Sequence, residues 1–129
     1  SLAHKTGAVF HIPHGCCNAI LLPSVIEFNA KECADRYAAI ARHIGLPGKT
    51  DEQLTNALVD SIKALNKKLE IAQTYKENGV SEELLNVHAD AIAANAVLDP
   101  CTSSNPRKID KEQMKQVLLC AYYGTPVTF

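Results

Sequence analysis

Apolar residues recur three and four positions apart along nearly the whole chain, which is the spacing of one face of an α-helix. No run of alternating apolar and polar residues is long enough to predict a β-strand. The 129 residues are enough to bury a core without disulfides or a stabilising metal. The sequence therefore predicts a single all-α domain over residues 1–129.

Helix end signals divide this all-α chain into segments. The segments predicted as helical are the opening residues, a buried central helix of about residues 14–29 and helices of about 33–43, 51–68, 81–98 and 110–123. Thr50 and Asp110, each with a glutamine three residues later, have the spacing of capping boxes. Pro23 is expected to bend the central helix or to be tolerated within it. Residues 99–108, DPCTSSNPRK, are predicted to form the longest irregular segment because they hold two prolines and an Asn-Pro turn signal.

The composition argues against two classes of partner. The formal net charge is −1 and the basic residues are scattered, which predicts binding neither to nucleic acid nor to an anionic membrane. No apolar stretch approaches the ~20 residues needed to cross a bilayer, and no signal peptide is recognisable. Five cysteines without a CxxC spacing are typical of reduced thiols. We expect a cytoplasmic protein whose partner is a small molecule or another protein.

Three of the five histidines lie within the twelve residues HKTGAVFHIPHG. His4 and His11 would share one face of a continuous helix, and His14 follows Pro13 at the start of the central helix. A rigid backbone and the positive end of the helix dipole favour a neutral, metal-binding imidazole at His14. The first acidic residue is Glu27, so a site with the three or four ligands that Fe(II) or zinc needs is incomplete. Metal ligands, proton carriers and junction residues of a non-catalytic helical interaction module all stay open as interpretations.

The irregular segment after the fourth helix holds two further candidates. The Cys101 thiol and the Arg107 guanidinium would line a pocket, or Arg107 would hold helix carbonyl groups in a capped connection. No glycine-rich phosphate loop and no GxSxG pattern is present, so no nucleotide site is predicted within these residues. The chain has no initiator Met and opens inside a helix, and we expect it to be part of a longer protein.

Two stretches resemble one enzyme family. SLAHKTGAVFHIPHGCCNAILLPSVIEFN resembles the segment of the iron-containing (group III) alcohol dehydrogenases that follows the pattern H-x-x-x-H-x-x-G-x-x-x-x-x-P-H-G-x-x-N-A-x-L-L-P. DPCTSSNPR resembles the family's D-x-C-T-x-x-N-P-R stretch. The resemblance extends over essentially the whole chain, and the ending LLCAYYG is similar to the alcohol dehydrogenase half of bifunctional aldehyde–alcohol dehydrogenases.

The resemblance implies a role for individual residues. It implies the family's helical C-terminal domain, of dehydroquinate synthase-like fold, without the N-terminal Rossmann-like domain that binds NAD or NADP. Family members bind Fe(II), or sometimes zinc, through one Asp and three His; the last of these falls on His14, and the third would lie immediately before Ser1. His4 matches a histidine near the nicotinamide and the metal, which implies a catalytic and cofactor-binding role. Cys101 matches a position in the substrate pocket, and His11 lies where family members vary and is interpreted as structural.

The resemblance also implies a reaction. Hydride would pass between a small primary alcohol and the nicotinamide, while the metal polarises the substrate oxygen and His4 handles the proton. We expect the chain alone to be inactive and the full-length enzyme to form a homo-oligomer. A polyol dehydrogenase acting on glycerol or propanediol is the alternative within the family, and a non-catalytic helical module is the alternative outside it.

Overall fold

The fold is entirely helical. The computed structural model describes residues 1–129 and contains no β-strand, which confirms the predicted all-α class. None of the helices is both long and apolar enough to cross a membrane. The elements are α1 (Leu2–Phe10), α2 (His14–His43), α3 (Asp51–Lys68), α4 (Glu82–Val97), a 3-10 helix (Pro100–Ser104) and α5 (Lys111–Tyr123).

Helix α2 lies at the centre, as its apolar sequence predicts. It packs against α1, α3 and α5, while α4 packs against α1 and α5. The larger core joins α1, the first half of α2, α4 and α5, and its fully buried members include Cys17, Leu85 and Leu118. A smaller core lies between α2 and α3. Burial of these apolar side chains is the main favourable contribution to folding.

Helix α2 covers both of the predicted helices of about residues 14–29 and 33–43, and it is broken at Cys33, where the second was predicted to begin. The helix continues through Pro23 and residues 30–32, and only Cys33, at φ −141° and ψ 37°, leaves the helical conformation. The Cys33 thiol donates a hydrogen bond to the Asn29 carbonyl oxygen at 3.3 Å, so an intrahelical acceptor is satisfied beside the kink. The two segments on either side of Cys33 therefore correspond to the predicted pair, and they meet at a kink without a separate connecting segment.

The helix ends follow the predicted signals closely. At the start of α5, Asp110 accepts from the Gln113 N–H and the Gln113 side chain accepts from the Asp110 N–H, which completes a capping box. At the start of α3, the Thr50 hydroxyl accepts from the Gln53 N–H, but the Gln53 side chain accepts from the Lys49 N–H instead. The second predicted capping box is therefore only half formed.

Candidate active site

His4 and His14 meet at the corner between α1 and α2. Helix α1 ends at Phe10, and His11 adopts the left-handed conformation, with φ 55°, that turns the chain. Helix α2 begins at His14 after Pro13, so the corner brings the His4 and His14 rings to a centroid distance of 5.1 Å and an interplanar angle of 12°. His11 is exposed and does not share a face with His4, because the continuous helix considered from the sequence is interrupted.

A buried carboxylate completes this corner. Asp99 Oδ2 lies 3.0 Å from His4 Nδ1 and 3.7 Å from Lys5 Nζ, and the Asp99 side chain is only 6% exposed. Asp99 Oδ1 accepts the Cys101 N–H at 3.0 Å. The hydrogen bond from His4, followed by that from Cys101, holds the pKa of the Asp99 carboxyl well below its usual range.

Asp99 was not identified as a site residue from the sequence. It lies 95 positions from His4, and helical periodicity gives no sign that the end of α4 contacts α1. A local signal does exist, because an Asp followed by Pro is typical of the residue that caps a helix start. Asp99 indeed caps the 3-10 helix with one oxygen, which leaves the other oxygen for His4.

The 3-10 helix holds Cys101 beside this pair. Residues 99–108 were predicted to be irregular. Part of this segment is helical instead, because Pro100–Ser104 form a 3-10 turn. The Thr102 hydroxyl donates to the Ala96 carbonyl oxygen at 2.6 Å and ties this turn to the end of α4. His4, Asp99 and Cys101 each offer one atom that could bind a metal ion, and these three atoms all lie within 4.8 Å of one another. In this cluster Asp99 and His4 are already bonded to each other, whereas the Cys101 thiol is exposed.

Arg107 takes the second of the two roles considered from the sequence. Its Nη1 donates to the main-chain oxygens of Phe28 and Phe129, each at 2.8 Å, and its Cζ lies 3.9 Å from the centre of the Phe28 ring. Beside it, the side-chain amides of Asn29 and Asn105 donate to each other at 2.9 and 2.8 Å. These contacts fix the segment after the 3-10 helix to α2, so Arg107 holds a helix carbonyl and does not line the pocket.

An apolar cavity of about 360 Å³ lies near the histidine corner, although neither His4 nor His14 lines it. Cys101 and Asn18 line it, and the Asn18 amide nitrogen lies 3.3 Å from His14 Nδ1. Eleven of its 16 lining residues are hydrophobic, and they include Leu22, Val25 and Met114. The cavity therefore suits a small, largely apolar molecule, and Asn18 and Cys101 are the lining residues that lie next to the histidine corner.

His14 is the imidazole best placed to bind a metal. It is exposed, and its only side-chain hydrogen bond is the one between Nδ1 and Asn18. The Asn18 amide nitrogen is the atom that faces Nδ1, and Nε2 makes no hydrogen bond, so Nε2 is the nitrogen left to bind a metal. His14 does not belong to any group of three or more His, Cys, Asp or Glu donors in this chain. One imidazole fits a metal but does not by itself complete a site.

Comparison with known proteins identifies the family. Residues 1–122 match the Fe-containing alcohol dehydrogenase family, C-terminal. The chain belongs to the iron-containing alcohol dehydrogenases. It is 53% identical to the NADPH-dependent butanol dehydrogenase of Clostridium saccharobutylicum, over 100% of this chain and 33% of that protein. It is 36% identical to the bifunctional aldehyde-alcohol dehydrogenase AdhE of Escherichia coli K12, over 96% of this chain and 16% of that protein.

Solved structures of this family have the same fold. The iron-containing alcohol dehydrogenase from Thermococcus thioreducens superposes with a TM-score of 0.83 and 32% identity, over 95% of this chain and 31% of that one. A 1,3-propanediol oxidoreductase gives a TM-score of 0.84 and 28% identity, over 94% of this chain and 31% of that one. The chain thus spans about a third of the length of several of these relatives, for example 33% of the butanol dehydrogenase. The family predicted from the two motifs is confirmed.

Proposed function

We propose that this chain supplies the helical, metal-holding part of an NAD(P)-linked alcohol dehydrogenase that interconverts primary alcohols and aldehydes. The observation that carries the proposal is the stacked pair of His4 and His14, whose neighbours Asn18 and Cys101 line the apolar cavity. One imidazole of the pair is exposed at a helix start, and the other is bonded to a buried carboxylate. Two imidazoles in different surroundings suit two different tasks, ligation and proton transfer.

His14 is the proposed metal ligand. Imidazole nitrogen suits both Fe(II) and zinc, and the position after Pro13 fixes the backbone from which the ring projects. Because His14 is not part of a three-donor group, we propose that the remaining ligands come from residues outside this chain. When bound, the metal supplies Lewis-acid chemistry to the substrate oxygen, and the nicotinamide supplies or accepts the hydride.

His4 is the proposed proton carrier and a contact for the nicotinamide. Its Nδ1 is bonded to Asp99, so Nε2 is the nitrogen available to the substrate. In alcohol oxidation Nε2 takes the hydroxyl proton, and in aldehyde reduction the same nitrogen returns it. Imidazole is the side chain most often used for such transfers near neutral pH.

Cys101 and the cavity are proposed to select a small monohydric substrate. The apolar lining suits the alkyl chain of an alcohol, and Cys101 shapes the end of the cavity near the imidazoles. A polyol would require free polar groups for its further hydroxyls, yet Asn29 and Asn105 in this lining bond to each other. The 53% identity to a butanol dehydrogenase supports the same choice over glycerol or propanediol.

The remaining expectations complete the proposal. A Rossmann-like nucleotide-binding domain is the proposed partner of this chain, with a small alcohol or aldehyde as substrate and neither nucleic acid nor membrane as partner. We also propose a homo-oligomer in the cytoplasm. The contacts of α2 on three sides support the role of this chain as a stable platform for the site.

A chimera tests the proposal. The chain replaces the matching third of the Clostridium saccharobutylicum butanol dehydrogenase, and metal content and butanol-dependent turnover of the nicotinamide are measured. We expect His14→Ala to lose metal and activity together, because it removes a ligand. The control is His43→Ala, an exposed histidine at the opposite end of α2, which should keep both.

Two outcomes of this experiment would contradict the proposal. Full metal occupancy in the His14→Ala chimera would remove His14 from the ligand set. A folded, metal-containing chimera without turnover of any alcohol or aldehyde would favour the non-catalytic helical module in place of the enzyme.

A further inference from the structure

We propose that Asp99 is a positioning residue that fixes the tautomer and the ring orientation of His4. The inference rests on the proposed function, since it explains how His4 presents a defined nitrogen to the substrate. Neither the periodicity nor the histidine spacing of the sequence points to this carboxylate. It emerges only where the end of α4 meets α1.

The geometry determines which nitrogen carries the hydrogen. An ionised carboxylate only accepts hydrogen bonds, so at 3.0 Å from Asp99 Oδ2 the Nδ1 of His4 has to be the donor. In the neutral ring, Nε2 is then the acceptor. The pKa of the Asp99 carboxyl is lowered by these same hydrogen bonds, so the ionised form persists at neutral pH.

Asp99 is itself held by its surroundings. Its second oxygen accepts the Cys101 N–H, and Lys5 Nζ lies 3.7 Å from the first. The side chain is 6% exposed, whereas that of His4 is 45% exposed. The Asp99 bond fixes the rotation of the imidazole, and the stacked ring of His14 fixes its plane. A ring that is half exposed is thus restricted on two sides.

Asp99→Asn separates the two tasks of the carboxylate. Asparagine has a single side-chain oxygen, and the Cys101 N–H still needs an acceptor to begin the 3-10 helix. With the oxygen bound there, the amide NH₂ faces His4 Nδ1, which then has to accept. The variant is expected to keep the cap and to move the hydrogen of His4 to Nε2, which closes the proposed proton-accepting position.

Nitrogen NMR of the 129-residue chain tests this expectation directly. Above pH ~8 an ordinary imidazole is neutral, and long-range ¹H–¹⁵N correlations then distinguish the two tautomers. We expect the Nδ1–H form for His4 in the unchanged chain and the Nε2–H form in Asp99→Asn. The matched control is Asp90→Asn, which removes a carboxylate bonded to Lys115 at 3.1 Å and should leave the His4 signals unchanged. The same His4 tautomer with and without the Asp99 carboxylate would overturn the proposal.

Kinetics of the chimera provide the second readout. Asp99→Asn should lower kcat about 10²–10⁴-fold, which is the range contributed by a positioned acid–base group. The metal content should be retained, and KM for the alcohol should change only a few fold. Asp99→Ser, whose short side chain still accepts the Cys101 N–H but does not reach His4, should also lower kcat. An unchanged kcat in both variants would overturn the positioning role. If the unaltered chimera has no turnover, the proposed function fails, and the NMR result alone decides the role of Asp99.

A zinc titration tests the alternative that His4, Asp99 and Cys101 form a metal site of their own. His4, Asp99 and Cys101 would themselves form a metal site if Zn(II) bound the chain one-to-one and both Asp99→Asn and Cys101→Ala abolished that binding. That result would overturn the proposal. Absence of such binding supports it, because it leaves the Asp99 oxygen to His4.

Discussion

Replacing Arg107 by Met tests how firmly the segment after the 3-10 helix is anchored. The change removes the hydrogen bonds from Nη1 to the Phe28 and Phe129 oxygens and the stacking of the guanidinium on the Phe28 ring. A hydrogen bond from a charged group contributes about 1.5–3 kcal/mol, and a cation–π contact adds about 0.5–1 kcal/mol. Methionine keeps the packing of the aliphatic stem. Because both hydrogen bonds come from the same nitrogen, we count them as one and expect the free energy of unfolding to fall by about 2–4 kcal/mol.

Urea unfolding followed by circular dichroism measures this loss. With a urea m value of about 1.5 kcal/mol per molar, the midpoint should fall by about 1.3–2.7 M. The matched control is Arg42→Met, which breaks a bond of 2.9 Å to Asp51 between side chains that are 56% and 47% exposed. Exposed pairs contribute about 0–1 kcal/mol, so this midpoint should hardly move. Equal losses in the two variants, or a loss below about 1 kcal/mol for Arg107→Met, would refute the anchoring.

Two further predictions concern single buried groups. Tyr75→Phe removes the hydrogen bond of 2.9 Å to the Thr6 hydroxyl, which still donates to the Leu2 carbonyl oxygen. We expect a loss of about 1 kcal/mol and a fall in Tm of about 3–5 °C by calorimetry; a loss above about 3 kcal/mol would contradict this. The lowered pKa of Asp99 means that its stabilising contribution is present above the ordinary Asp pKa and is lost as the pH falls through the lower folded value. The difference in urea midpoint between the unchanged chain and Asp99→Asn should therefore shrink between pH ~5 and pH ~2, and an equal difference at both would contradict the assignment.

Local signals predicted most of the helical framework. Helix α3 begins and ends at the expected residues because Thr50 caps it and its apolar stripe is regular. The break at Cys33 agrees with the predicted start of the second helix, but its physical cause is not the usual one. Helix breaks are read from proline and glycine, yet α2 passes through Pro23 and breaks at a cysteine whose thiol bonds to the Asn29 carbonyl oxygen.

The candidate site was predictable in part. His14 was identified because a histidine after Pro13 at a helix start has a distinct local environment, and the family motif pointed to His4. The partner of His4 was not identified, because Asp99 contacts it only through the packing of α4 on α1. For Arg107 the residue type left two roles open, and only the position of the Phe28 carbonyl oxygen decides between them.

The contacts of the site form a closed path that begins and ends on α2. From Asn29 in α2 the path crosses to Asn105, runs back along the 3-10 helix to Asp99, and passes through His4 to His14 at the start of α2. Each step of this path is a hydrogen bond, a short helical segment or a ring stack. The path starts at Asn29 and ends at His14, and the part of α2 between these two residues fixes the distance between them. Changes that loosen Asn105 should therefore act on His4 by moving Asp99, although the two amides lie away from the imidazoles. Because each amide satisfies a hydrogen-bonding group of the other, this polar pair is tolerated in the wall of a mainly apolar cavity.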